Sequence, residues 1–330
     1  MRNKNMRIGL AAIAALAAVC ALSAPAAAQS GKPWRHGLLN AKADAGFFMM
    51  SARRGFAEKE GVKLELLQVK DDQIGLKALL AGELDSYEGG PQGVFAAAAR
   101  GADVKILGCH WVVVPHGIYV RAGIKRVEDL RGKTIAVSAP GTMPDMLARS
   151  ALAKFGVAAD EVKLAAVGGD NERYQALTGG VVDAAVVSNE YQPVMPKTVK
   201  LLVAGREAVP NFLRVCMVTS AKVLAARGDD AVRFLAAEIK ALRYAVSHRE
   251  ETIALARAES KAKPDDPRPG FVFDDAVRNA AVAPDLPIPN DKLEWLQDQL
   301  VQAGKLPNSL DLATVTAPDI RAKALELAGK

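Results

Sequence analysis

The side chains best placed to do chemistry fall in four short loops, each following a strand-like segment. The first runs Asn40–Phe47 and holds Asn40, Lys42, Asp44 and Phe47; the second is Glu88-Gly89-Gly90-Pro91-Gln92. The third is Ser138-Ala139-Pro140-Gly141-Thr142-Met143 and the fourth Ser188-Asn189-Glu190-Tyr191. In open α/β sheets a small molecule binds beyond the carboxyl ends of the strands, so these loops are the candidate site. Ser138–Met143 leads into a helix, and the free N–H groups there, with Gly141 and the Thr142 hydroxyl, would seat a carboxylate, sulfonate or nitrate. Lys42 would add a cation and Phe47 an apolar wall, while Asp44 reads as a helix N-cap. Gly89 and Gly90 let backbone approach a ligand closely, beside Gln92, or form a plain strand-to-helix turn. Asn189 and Tyr191 would donate hydrogen bonds across the site. Arg173 either pairs with an anion or lies on the surface, and Trp111 either stacks on a planar ligand or packs in the core.

Catalytic chemistry has little material. No G-x-S-x-G, H-E-x-x-H or P-loop pattern is present, and the four histidines are scattered. No CxxC or histidine-rich spacing suggests zinc, so neither a metal nor another cofactor is expected. Cys109 and Cys216 lie in apolar, strand-like segments and read as two buried free thiols, because a sequence cannot show their separation.

The elements that must position these loops alternate. Strand patterns at 36–39, 62–69, 104–107 and 112–120 are separated by helix-like stretches at 44–56, 74–80 and 95–100. The alternation restarts with strands at 134–137, 162–167, 181–187 and 213–218 and helices at about 142–155 and 172–177. A helical stretch then covers 221–259, a Pro/Asp-rich breaker follows at 263–270, and a final helix spans 291–303, with Asp291 and Glu294 spaced as a capping box. Such alternation predicts an α/β fold, a sheet with helices on its faces. An internal echo divides it in two: Lys77–Ser86 aligns with Gln175–Ala184, repeating Ala, Leu, Gly and Asp at the same offsets. In each copy a helix ends at glycine and an aspartate precedes a strand, so each half uses the same supersecondary unit.

The N-terminus sets the compartment. Arg2, Lys4 and Arg7 precede the apolar stretch Ile8–Leu22, and Ala26-Ala27-Ala28 supplies the small residues of a cleavage site. Residues 1–28 are thus expected to be a signal peptide, in preference to a lipid anchor on Cys20, which follows Val19 rather than a small residue. Removing the three basic residues lowers the formal charge from +6 to +3. The remaining cations are interleaved with acids, a solvated surface that argues against nucleic-acid binding.

In order and spacing, several segments resemble the type II periplasmic binding proteins of the nitrate, sulfonate, taurine and thiamine-pyrimidine-precursor group. They are Ala45–Val62, Leu80–Asp85, Val127–Val137 with Pro140-Gly141-Thr142, Leu177–Ala185 and Ala303–Pro307. The resemblance covers most of the chain beyond residue 28. It implies a two-lobed type II periplasmic binding protein, each lobe a mixed sheet flanked by helices, with the ligand in the cleft between them. Residues 29–117 and 215–330 would form lobe one and 118–214 lobe two, with hinge closure about crossings near 116–121 and 211–219. The implied function is a soluble, monomeric periplasmic substrate-binding protein of an ABC importer. It would capture a small organic sulfonate or carboxylate, aromatic or zwitterionic, and deliver it to a membrane permease with its ATPase subunit. A binder of a pyrimidine thiamine precursor is the alternative, and a related pyrimidine-synthase-like enzyme a more distant one, which the signal peptide and the lack of a cysteine-rich motif oppose.

Overall fold

The computed structural model describes residues 31–329; the expected signal peptide and Cys20 lie outside them. Ten strands form two five-stranded sheets. The strands are β1 (Trp34–Leu39), β2 (Leu64–Val69), β3 (Ser86–Gly89), β4 (Val104–Trp111), β5 (His116–Arg121), β6 (Thr134–Val137), β7 (Lys163–Ala166), β8 (Ala184–Ser188), β9 (Val199–Ala204) and β10 (Val215–Ser220). The first sheet has the order β2-β1-β3-β10-β4 and the second β7-β6-β8-β5-β9. In each, four strands run the same way and one, β10 or β5, is antiparallel to the neighbours on both its sides; that strand is the one entered from the other sheet. This is the two-lobed α/β architecture, built twice on one plan.

The internal echo is the seam of that plan. The helix Asp72–Ala81 starts with the Asp71 carboxylate accepting the Ile74 N–H at 2.9 Å and ends at Gly82, with φ of 78°. Its counterpart Asp170–Thr178 ends before Gly180, with φ of 77°. Both glycines hold the left-handed conformation that side chains with a Cβ resist. The aligned aspartates then do the same job. Asp85 accepts the Arg35 N–H on β1 at 2.8 Å, and Asp183 accepts the Thr134 N–H on β6 at 3.0 Å. Each carboxylate pairs a backbone donor on the neighbouring parallel strand.

The chain passes between sheets twice, over Val112–Pro115 and Gly205–Arg214. Neither passage is a solvated linker, because Val114, Val209, Phe212 and Leu213 are buried and join the core of both lobes. Gly205 is needed where the passages touch: a Cβ there would lie 2.4 Å from the His116 carbonyl oxygen and 2.8 Å from Val114.

Several expectations need correction. Cys109 and Cys216 are not free thiols but a disulfide, since β10 returns from the other lobe to lie against β4 with the two residues directly opposite. The helix expected over 44–56 is three short turns, Ala45–Phe48, Met50–Arg53 and Phe56–Lys59, the last entered through left-handed Gly55. The stretch 221–259 is two helices, Ala221–Ser247 and Arg249–Ser260, broken at His248. The breaker at 263–270 already contains the start of the helix Arg268–Arg278. The helix Asn290–Gln302 follows Pro289 with no side-chain cap, so Asp291 and Glu294 form no capping box, and Pro318–Ala328 is a later helix still. Strand β9 had no strong pattern of its own. Among the described residues no helix is long and apolar enough to cross a membrane.

Behind the first sheet lies a buried polar cluster. The Glu88 carboxylate sits 3.3 Å from His110 Nε2 and 3.6 Å from His36 Nε2. Burial opposes its ionisation, but His110 and then His36 outweigh that and bring it down to about 2. Glu238, on the long helix behind it, is pushed up to about 8 by burial and by the nearby Glu88 charge. One carboxylate is therefore anionic and the other protonated at neutral pH, which keeps two like charges from sharing a dry core.

The disulfide closes a separation of 107 residues. The chain-entropy cost it removes from folding predicts that Cys109→Ala with Cys216→Ala lowers unfolding free energy by about 2–5 kcal/mol. Denaturant titration checks this, and an unchanged midpoint would show that the fold does not draw on the bond.

Candidate ligand site

The carboxyl ends of β1, β4 and β8, and the residue that begins the return to β10, converge between the sheets. Asp170, at the start of the helix Asp170–Thr178, is the hub. It accepts hydrogen bonds from Arg173 Nη2 at 2.5 Å and the Ser188 N–H at 3.1 Å, and His116 Nε2 lies 3.2 Å away. From the opposite lobe Lys42 reaches to 3.7 Å. Burial opposes ionisation of Asp170, yet His116, Arg173 and Lys42 around it hold its carboxyl well below the usual range. Burial also pushes the His116 imidazole down, so it stands neutral, donating Nε2–H to Asp170 and leaving Nδ1 as an acceptor.

Facing this hub, Arg214 precedes β10. Its Nη2 donates to Asp44 Oδ2 at 2.6 Å, and its guanidinium lies 4.6 Å from the Trp111 ring centre and 5.7 Å from that of Phe48. The Arg214 Nη1, Trp111 Nε1 and His116 Nδ1 atoms are all buried without a hydrogen-bond partner among the described residues. All three residues line one cavity with Lys42, Asp44, Asp170, Asn189 and Glu190. Each such orphan costs about 1–3 kcal/mol unless something in the cavity pairs with it. Two donors and one acceptor thus await a polar partner. Glu190 completes the ring of charge. Burial and then the Asp44 charge push its carboxyl up to about 7, and it forms no hydrogen bond or ion pair among the described residues.

Not every residue expected in the site is there. Lys42, Asn189, Tyr191 and Trp111 line the cleft cavities. Asn189 spans the lobes, its Nδ2 donating to Asp275 Oδ2 on the helix Arg268–Arg278 at 2.6 Å. Trp111 offers an edge and its N–H but no free face for stacking, because it is buried under Phe47, Phe48 and Arg214. Phe47 is core rather than wall, stacked on Phe273 at 5.5 Å. Asp44 occupies the N-cap position but caps nothing; its carboxylate pairs with Arg214.

At the Thr142 loop the Asp145 carboxylate accepts the Gly141 N–H at 2.9 Å and the Thr142 hydroxyl donates to the Ala139 carbonyl at 2.6 Å, while no side chain caps the helix itself; none of these residues lines the two cleft cavities. Met143 packs on the core. Arg173 is buried, with four of its five N–H donors on the Val186 and Gly168 carbonyls, Ser138 Oγ and Asp170, and it lines neither cleft cavity. Gly89, Gly90 and Gln92 line none of the cleft cavities; the Gly90 N–H is taken by Asp72 Oδ2 at 3.1 Å. Asn40 is exposed and lies beside, not in, the cleft. Arg214, His116 and Asp170 escaped sequence reasoning. Arg214 sits before a strand rather than after one, and the other two read as an ordinary strand residue and a helix start.

Comparison with known proteins follows the same lines. The family model described as NMT1/THI5 like matches residues 42–252. A Brucella abortus protein named only as a binding protein is 33% identical over 115 residues, so the match spans 35% of this chain and 35% of that relative's length. The ligand binding component of an ABC-type import system from Staphylococcus aureus superposes with a TM-score of 0.72 at 14% identity, covering 89% of this chain and 99% of that one. The periplasmic aliphatic sulphonate binding protein SsuA of Escherichia coli gives 0.70 at 20% identity, over 86% and 92%. The desulfurization enzyme DszB gives 0.67 at 18% identity, over 89% and 99%. At these identities the structural likenesses establish the fold.

The hub predicts its own importance. Asp170→Asn removes the charge that matches buried Arg173 while leaving the acceptor for Ser188, and should destabilise the fold by roughly 3–5 kcal/mol in denaturant titration. A loss below about 1 kcal/mol would mean the pair is solvated and worth no more than a surface bridge.

Proposed function

The chain belongs to the NMT1/THI5-like family, and from that premise we propose that it is the exported, periplasmic substrate-binding component of an ABC importer. It captures a small organic acid between its lobes and delivers it to a permease served by an ATPase subunit. The lobes are 29–117 with 215–330 and 118–214, the chain acts as a monomer, and the lobes close about the two passages. The observation that carries this reading is the convergence, from both lobes, of Arg214, Trp111 and His116 with orphaned polar atoms on one cavity. The ligand's acid group accepts from Arg214 and Trp111, and a neighbouring N–H or O–H donates to His116.

The charge balance narrows the ligand. Three cations, Lys42, Arg173 and Arg214, meet two carboxylates, Asp170 and Asp44, and Glu190 adds a third carboxyl that ionises only above about 7. A compact dianion is disfavoured. A monoanion, or a zwitterion whose ammonium meets Glu190, fits. Binding is preferred over catalysis because Cys109 and Cys216, the cysteines among the described residues, are joined to each other and so are not nucleophiles. The His116–Asp170 pair orients an acceptor toward the ligand, and the one hydroxyl that lines the same cavity, that of Ser188, caps the following turn by accepting the Glu190 N–H at 3.4 Å.

A thermal-shift screen of sulfonates, carboxylates, amino acids and pyrimidines tests the reading, since a ligand that binds the folded state raises the melting temperature by mass action. With the best acid found, Arg214→Lys keeps the charge but loses the planar fork and should weaken affinity about tenfold or more. An affinity unchanged by that substitution would remove the ligand from this cavity.

The same ligand gives a pH test. Glu190 is protonated below about 7 and anionic above it, so affinity for a monoanion falls as pH rises through that value. Glu190→Gln should flatten the profile in calorimetric titrations. A wild-type profile that is level across neutral pH would show Glu190 facing away from the acid group.

A further inference from the structure

Strand β4 carries two residues more than the strand it pairs with. Val215 lies opposite Trp111, Cys216 opposite Cys109, Met217 opposite Gly108 and Val218 opposite Ile106, which leaves His110 and Leu107 without a partner on β10. Each is a bulge, a place where side chains are re-aimed and the pairing is weakened. Between the two bulges only the Cys216–Cys109 and Met217–Gly108 pairs remain, and the first of them is the disulfide. The bulge at His110 has a visible use. Alternation along a strand would set His110 and Trp111 on opposite faces, yet both touch Phe48, with ring centres 5.1 and 5.5 Å away. His110 thus reaches over β10 to Glu88 on β3, while Trp111 keeps its place beside Arg214.

We propose that the Cys109–Cys216 bond is a register lock that makes His110 the bulged residue and so supports the cleft wall from behind. With Cys109 fixed opposite Cys216 and Trp111 opposite Val215, His110 has no residue to pair with. Sliding β10 by one residue would set Cys216 opposite His110 and draw that imidazole into the ladder. Residues directly opposite share a face, so its ring would turn to the side where Cys216 packs with Ile106 and Val218, away from Glu88 and Phe48. The outer edge of β4 does not choose between these registers. It is bound to the segment 281–287, with Pro287 accepting the Cys109 N–H and His110 the Ala283 N–H at 2.8 Å, contacts made without β10. The lock is permanent rather than switchable, because both cysteines are fully buried and out of reach of an attacking thiolate. Cys109 and Cys216 line neither cleft cavity and are positioning residues, acting through His110 and Phe48 on Trp111 and Arg214. What the wall is for rests on the reading of the cleft as the ligand site; the lock itself does not.

His36 provides the internal control. It faces the same Glu88 carboxylate from β1 at 3.6 Å, and its other nitrogen meets Ser86 Oγ at 2.7 Å, so β4 and β10 do not hold it. Proton NMR of protein carrying isotope-labelled histidine, with Cys109→Ala combined with Cys216→Ala, reads the two imidazoles that face Glu88. The His110 signal should shift by more than its linewidth or vanish while the His36 signal stays in place. In fluorotryptophan-labelled protein the Trp111 signal should shift and that of Trp34, on β1, should not. If the double-alanine chain fails to fold, Cys109→Val with Cys216→Ala, which restores lost volume, carries the measurement. Lost stability alone does not give this pattern, since it would touch both histidines alike. Both histidine signals unchanged, or both altered together, overturns the lock. No ligand is needed, so the result is separable from the cleft reading. A selective His110 change with acid affinities indifferent to Arg214→Lys keeps the lock and removes the cleft. An unmoved His110 with affinities that fall in Arg214→Lys does the reverse.

Discussion

The buried charge of Asp170 sets the terms for everything around it. A carboxylate taken out of water is tolerated only if other groups replace the lost hydration. Here Arg173, the Ser188 N–H and His116 do so from the side of the second sheet, and Lys42 approaches from that of the first. Because Arg173 spends most of its donors in this way, it lies behind the cavity and does not line it. Because His116 donates to Asp170, its second nitrogen is fixed as an acceptor. Because Glu190 is itself buried and Asp44 and Asp170 already carry negative charge beside it, it holds its proton up to about neutral pH. The chemistry of the cavity follows from one desolvated group and the partners it requires.

That hub is held by a scaffold used twice. The two sheets share one strand plan, and the repeated helix–glycine–aspartate unit locks the parallel strands in each. Symmetry ends at the cleft. The first sheet's ends contribute Lys42, Asp44, Trp111 and, at the entry to β10, Arg214, and the second sheet with its helices contributes His116, Asp170, Asn189 and Glu190. The helix Arg268–Arg278 then bridges them through Asp275 and Asn189. A repeated frame with different side chains at its open edges lets one architecture serve many ligands, which is why fold likeness to both SsuA and DszB leaves the chemistry to be argued from the cavity.

The loops at the strand ends were legible because backbone geometry forces them there: parallel strands point their carboxyl ends one way, and Lys42, Asn189 and Tyr191 duly line the cleft. At the Thr142 loop a local acceptor competes for one of the loop's donors: Asp145, three residues beyond Thr142, takes the Gly141 N–H. Arg173 and Phe47 were misjudged for a distant reason, since their partners (Val186, Gly168 and Phe273) come from other elements.

By itself the sequence determined the alternation of strands and helices, the glycine stops, the two-fold internal repeat and the family. Those depend on periodicity and on conformational preferences that act within a few residues. Tertiary structure alone decided which polar groups were already spoken for. It set Cys216 opposite Cys109, brought Arg214 over Trp111, and placed Asp170 between His116 and Arg173. Hydrogen bonds and ion pairs saturate, so whether a side chain is free for a ligand depends on every neighbour the fold supplies, most of them far away along the chain.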